Sequence, residues 1–427
     1  MRAKRWLTVM LAAALTVTLA ACGDKKENAP GQTGDKEQEV ALRVMWWGSQ
    51  TRHDATLKAI ELYQSQHPNV KIEAEYSGWD GYWDKLATLS AARNMPDVVQ
   101  MDVSYLGDYS KRNQLLEWNG DLSKIDPQLL ETGHLDGKQV ALPAGRNSYG
   151  IVYNKALFTQ YGLKEPETGW TWDDFFQLAR DARDKLPEGV YLSRDFSAGE
   201  LEYRAYQHSK GNGPFYIDNK LNMDKETWME WSGIWSDFRK EGIVAPAEQT
   251  ISDVELDTQF DSLVKGTILM RGTHSSQIAA YDSLMPDKLG IAAFPSADEP
   301  GGWLKPTFYW SINSGTKQAE EAQKFVLWLL NDEEAGKILK TERGTPVSDA
   351  VMTAIEPELT DADKLGQKML EEVAKSAQPF TAQPPGYNDF GRDMNNTIQS
   401  VIFNKTTAEA AYDTIQKLAS DTEANLN

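Results

Sequence analysis

Two tryptophans, an arginine, a histidine and an aspartate crowd into residues 46–54, WWGSQTRHD. They follow an apolar run, LRVM at 42–45, that reads as a strand, and they precede a helical stripe. Groups of the same kind recur after the next two strand-like segments. Trp79 and Asp80 follow VKIEAEY (70–76), and Asp102 and Tyr105 follow DVVQM (97–101). Aromatic plates beside planar hydrogen-bonding groups suit a sugar: the apolar face of a pyranose covers a ring, while its hydroxyls need donors and acceptors in fixed directions. Each residue also has a plainer reading. A parallel strand is buried on both faces, which makes Trp46 core. Trp47, last before Gly48, fits core and cleft equally. Arg52 and His53 also fit a solvated first helical turn, Trp79 the cover of a sheet edge, and Asp102 a helix cap.

Other chemistries leave weaker marks. The five histidines, at 53, 67, 134, 208 and 274, show neither His-x-x-x-His nor His-Glu-x-x-His spacing, so no metal is expected. There is no Gly-x-Ser-x-Gly elbow and no P-loop, and no Gly-x-Gly-x-x-Gly follows the first strand, so no cofactor is expected. Glycosidases use paired carboxylates, but among 63 acidic residues some pair is always available. A secreted polysaccharide lyase or hydrolase therefore stays open as the enzymatic alternative, and turnover distinguishes it from a binding protein. A receptor for a non-sugar solute is a third reading.

The elements that must hold these residues alternate. Strand 40–47, helix 51–66, strand 70–76, helix 82–93 and strand 97–101 form a βαβαβ run, which implies a parallel sheet with helices on both faces. In such sheets ligands bind beyond the carboxyl ends of the strands, where the residues above collect.

The N-terminal segment sets the compartment. Arg2, Lys4 and Arg5 precede a short apolar run that ends Leu19-Ala20-Ala21, and Cys22, the single cysteine, follows. This reads as an export signal over 1–21. Residues 23–39, GDKKENAPGQTGDKEQE, lack apolar periodicity and read as a tether. The formal charge is −19 for the whole chain, and −22 from Cys22 onward because the signal holds three basic side chains and no acidic one. Such a surface repels nucleic acid, so no nucleic-acid partner is expected. An anionic ligand would need cations gathered locally.

Leu-Ala-Ala-Cys resembles a bacterial lipobox, which implies a lipid on Cys22 and anchorage on the outer face of the cytoplasmic membrane. The stretch from WWGSQTRHD to VVQMD resembles the first lobe of family 1 extracellular solute-binding proteins, the carbohydrate receptors of ABC importers. ALPAGRNSYGIVYNKALF, LVKGTILMRGTHSSQ, AEEAQKFVLWLLNDEEAGK and RGTPVSDAV resemble later segments of that family, in its order. Within the family, GWDGYWDKL and ERGTPVSD look most like receptors for pectin fragments such as rhamnogalacturonan disaccharides.

The resemblance implies an α/β two-lobe clamp of mostly parallel sheets flanked by helices. One lobe takes 40–145 and 301–343, the other 146–300 and 344–427. Hinges are expected at Pro143-Ala144-Gly145, Pro295 to Gly302 and Gly344-Thr345-Pro346. It implies a monomeric, non-enzymatic receptor that closes over an oligosaccharide and hands it to permease subunits. The ligand-binding set is expected to be Trp47, Arg52, His53, Trp79, Asp80, Asp102 and Tyr105 from the first lobe. Arg146, Asn147, Arg271, His274 and Tyr387 face them from the second, and Trp310 on the return strand is core or cleft. Arg146 and Arg271, converging, would suit a uronate carboxylate; an internal salt bridge is the other use for them.

Overall fold

The computed structural model describes residues 39–217, 220–375, 377, 380 and 383–426. The signal segment, Cys22 and nearly all of the tether lie outside the described residues. Among those described, no helix is long and apolar enough to cross a membrane.

The βαβαβ start is present: β1 (Val40–Trp47), α1 (Gln50–Gln66), β2 (Val70–Ser77), α2 (Trp79–Ala91), β3 (Val98–Met101) and α3 (Val103–Lys111). β1 runs parallel to both β2 and β3. Ser49 caps α1, its hydroxyl accepting the Arg52 N–H. Helix α2 begins three residues earlier than the sequence pattern implies. Gly78 takes the N-cap, so Trp79 stands in a first helical turn instead of a loop. The strand Tyr309–Ile312 then adds antiparallel to β3, and Leu142–Pro143 adds to it in turn.

A second sheet has the order Leu289–Ala292, Arg146–Asn154, Ile268–His274, Tyr191–Ser193, with Leu304–Pro306 also paired to Arg146–Asn154. Only the pairing of Ile268–His274 with Tyr191–Ser193 is parallel. Both sheets are therefore mixed, the second largely antiparallel. Each has its own apolar core. Trp46 and Trp310, fully buried, sit in the first, and Trp228, Trp231 and Trp235 in the second. The excursion at 211–224 contains a short hairpin, Tyr216–Ile217 with Lys220–Leu221.

Three backbone passages, 143–146, 306–308 and 343–346, lie side by side where the sheets meet, and the first two of them cross from one sheet to the other. The Ala144 N–H donates to the Phe308 carbonyl (2.9 Å) and the Thr307 N–H to that of Gly145 (2.9 Å). Arg146 and Thr345 exchange backbone bonds of 2.6 and 3.2 Å. A Cβ on Gly145 would lie 2.2 Å from the Arg343 carbonyl oxygen, so this approach requires glycine. Two expected boundaries move. Leu304–Pro306 still belongs to the second sheet, and Trp303 to its core, which puts the return at 306–308 and not at 295–302. Past the third passage, helix Asp349–Ile355 packs on helix Glu333–Leu339, with Val351 against Gly336. Residues 347–359 thus stay with the first sheet, and the next helix, Asp361–Ala374, brings Met369 into a core with Val152.

Candidate functional site

Where the two sheets meet at the passages lies a cavity of about 250 Å³. Six residues expected from the sequence line it: Trp47, Arg52, Trp79, Asp102, Asn147 and His274. Lys305, Phe308 and Glu342 line it as well.

One wall is aromatic. Trp47 ends β1 and meets Trp79 edge-on, with centroids 5.1 Å apart and planes at 84°. It also touches Trp83 at 5.4 Å and Phe308 at 5.7 Å. Trp47 is 8% exposed and Trp79 43%, and Trp79 is the only exposed tryptophan among the described residues. The rings behind fix the plate: Tyr105 does not line the cavity but stacks on Trp83 at 3.6 Å and 11°.

The polar wall is held by short-range bonding. A Cβ on Gly48 would lie 2.6 Å from the Arg52 Cδ, so the glycine lets the arginine stem fold back over the strand end. Arg52 Nε then donates to the Glu342 carbonyl (2.8 Å), and its guanidinium lies 5.1 Å from the Phe308 ring centre. Asp102 caps α3 with one oxygen, which accepts from the Ser104 N–H (2.9 Å) and hydroxyl (2.6 Å), while its residue still borders the cavity. The Asn147 carboxamide oxygen accepts from the Ser275 hydroxyl and Ser276 N–H, pinning the turn that carries His274. Burial, with Lys305 nearby, holds the His274 imidazole well below its ordinary pKa, so it is neutral. Burial also lowers the Lys305 ammonium, opposed by Asp102 and abetted by Arg204.

Several expected ligand contacts are occupied elsewhere. His53 is buried at the sheet edge, accepting from Trp46 Nε1 (3.1 Å) and lying against Tyr76. Trp310 is fully buried in the first core. Arg146 donates to the Pro346 carbonyl (2.9 Å) and pairs with Asp349 (3.3 Å), tying one passage to another. Arg271 is 3% exposed and sits between Asp253 and Asp261 at 3.0 and 3.1 Å. The internal salt bridge, not a converging arginine pair, describes both. Tyr387 opens a helix and bonds Glu200, edge-on to Tyr216. The Asp80 side chain lies outside the described positions. The sequence reading singles out neither Lys305 nor Phe308, and it places Lys305 in the first lobe although that residue pairs with the second sheet; the local signal is WLKPTF, two aromatics bracketing Lys-Pro.

The two halves also touch beyond the cavity, where the Gly386 N–H donates to Asp108 (3.1 Å) and Pro385 lies over Gly107. A larger cavity, about 680 Å³, runs along the edge strand Leu289–Ala292 and shares no lining residue with the aromatic one. Among the described residues no group of His, Cys, Asp and Glu could hold a metal ion.

Two α/β sheets with a shared cavity at their crossings define a clamp-shaped binding protein. Residues 47–336 match the family described as bacterial extracellular solute-binding protein, and the chain belongs to that family, whose members bind solutes and are not enzymes. A solved family 1 extracellular solute-binding protein from Alicyclobacillus acidocaldarius superposes with a TM-score of 0.71 at 28% identity, covering 92% of this chain and all of that one. The periplasmic oligogalacturonide binding protein of Yersinia enterocolitica, solved with saturated digalacturonic acid, gives 0.74 at 25%, covering 91% of this chain and 100% of that one. The diacetylchitobiose binding protein DasA of Streptomyces coelicolor is 22% identical over 425 residues, 93% of this chain and 94% of its own.

Two outcomes are expected. Arg271→Met should lower the unfolding free energy by about 3–5 kcal/mol, because two buried carboxylates lose their counter-ion, while sugar affinity of the folded protein stays unchanged; urea unfolding and titration check each half. His53 and His274 both have lowered pKa values in the folded state, chiefly through burial. The unfolded chain therefore takes up protons the folded one refuses, and stability should fall as pH drops below about 6.5. His274→Gln should flatten part of that slope in urea titrations across the same range.

Proposed function

We propose that this chain is the sugar receptor of a bacterial ABC importer, that it captures an oligosaccharide in the aromatic-walled cavity, and that the sugar carries uronate groups. The carrying observation is the cavity itself, which joins an exposed indole plate to hydrogen-bonding groups drawn from both halves of the fold. A ligand stacked on Trp79 and bonded to Asn147 or His274 touches both halves at once. It stabilises the closed arrangement only through contacts it makes better there.

In this reading the lobes are 40–145 with 307–359, and 146–306 with 360 to the end. The crossings at 143–146 and 306–308, braced by 343–346 beside them, form the hinge, and the chain crosses a third time near 360. Relatives that bind diacetylchitobiose and digalacturonate support an oligosaccharide. The second of these, with the cations at the cavity, supports an acidic one. A lipid on Cys22 would keep the clamp beside its permease.

Calorimetric titration of the purified protein is the test, against unsaturated rhamnogalacturonan disaccharide, oligogalacturonates, and neutral xylo-, malto- and arabino-oligosaccharides. Binding of a uronate, weakened about tenfold or more by Trp79→Ala, supports the reading. A neutral sugar bound tightly with uronates silent keeps the receptor and removes the uronate; product formation overturns the receptor. Cys22→Ser should move the protein from the membrane fraction to the soluble one, and unchanged partition would exclude the anchor.

A further inference from the structure

Among the described residues, each cation near the cavity except one has at least one hydrogen bond or ion pair. Arg52 is bonded to the Glu342 carbonyl and lies over Phe308. Arg343, 3% exposed behind that ring, donates to Gln100 Oε1 (2.9 Å) and Thr56 Oγ1. Arg204 is paired with Glu200 (3.2 Å) and ringed by Phe215, Tyr216, Trp303 and Phe380. Lys305 differs. Strand pairing sets it opposite Asn147 and on the cavity, and among the described residues no hydrogen bond or ion pair engages its ammonium; Asp102 acts on it through space.

Lys305 is only partly buried, and its ammonium stands on the cavity with no carboxylate of the described residues bonded to it. The surroundings do not neutralise it. With Arg343, which likewise has no carboxylate bonded to it among the described residues, three cations (Arg52, Lys305 and Arg343) stand against two carboxylates (Asp102 and Glu342), an excess of one positive charge at the cavity of a chain whose formal charge is −19. An anionic group arriving with the ligand would satisfy the ammonium and draw on that excess, and the aromatic wall beside it holds the ring that bears such a group. We propose that Lys305 is the residue that reads the acid: its ammonium takes the carboxylate of a uronic acid unit, and this contact separates acidic from neutral sugars. The proposal rests on the sugar-receptor reading and names the residue through which that reading becomes selective.

The test compares digalacturonate with its neutral dimethyl ester by calorimetry, on the wild type, Lys305→Met and Lys305→Arg. Wild type should favour the acid by about tenfold to a hundredfold, the range of a charge-assisted hydrogen bond. Lys305→Met should bind acid and ester alike, and Lys305→Arg should keep a preference for the acid. Circular dichroism verifies that each variant is folded, and Lys305→Gln replaces a methionine variant that is not. An acid preference that survives in a folded Met or Gln variant overturns the role of Lys305 and leaves the sugar receptor standing. A wild type that binds neutral sugars and takes the acid no better than the ester overturns the inference as well. A wild type silent to every sugar removes the receptor reading first.

Discussion

The backbone contact at Gly145 is the constraint on which the rest depends. With no Cβ there, the Arg343 carbonyl comes close, and the three passages lock into a narrow strip through the bonds among Ala144, Phe308, Thr307, Arg146 and Thr345. That strip sets the carboxyl end of β1 opposite the ends of Arg146–Asn154 and Ile268–His274. The cavity is a consequence of this facing, because Trp47, Trp79, Arg52 and Asp102 come to it from one half and Asn147, His274 and Lys305 from the other. A side chain at 145 would move one passage away from another and with it one wall from its counterpart.

The two walls are built on different physics. The aromatic wall is rigid because its members are core residues or rest on core residues: Trp47 packs on Tyr82 and Trp83, and Tyr105 backs Trp83. Its position is therefore settled by burial before any ligand arrives. The polar wall is settled by local hydrogen bonds, with Asn147 holding the 275–276 turn and Glu342 holding Arg52. Its charges are only partly neutralised. The lining itself sets Arg52 and Lys305 against Asp102 and Glu342, and the negative exterior around it is screened by salt.

How much of this was legible follows from the range of the interactions. The first lobe reads almost directly, since β1 to α3 are adjacent in sequence and their periodicity is local. Trp47, Trp79 and Asp102 come to border one cavity because they follow strands that are themselves predictable. Arg271 misled because its counter-ions stand on a loop that folds back from residues 253–261, and nothing local to TILMR reports that fold. Arg146 misled for the same reason at greater distance, its partner being Asp349. Lys305 was missed because its place depends on pairing with Asn147, a register set by a strand far earlier in the chain. Tertiary charge pairing, not element type, is what the sequence conceals here.

The tryptophan distribution has an optical consequence. Of the described indoles, nearly all are enclosed in the two cores, where their surroundings do not change when a solute arrives. Trp79 alone faces solvent, and it is in edge contact with Trp47 and Trp83, close enough for excitation to pass among the three rings. The protein thus carries its own fluorophore at the mouth of the cavity over a steady background. Emission colour and quenching would report occupancy in real time, without any label attached.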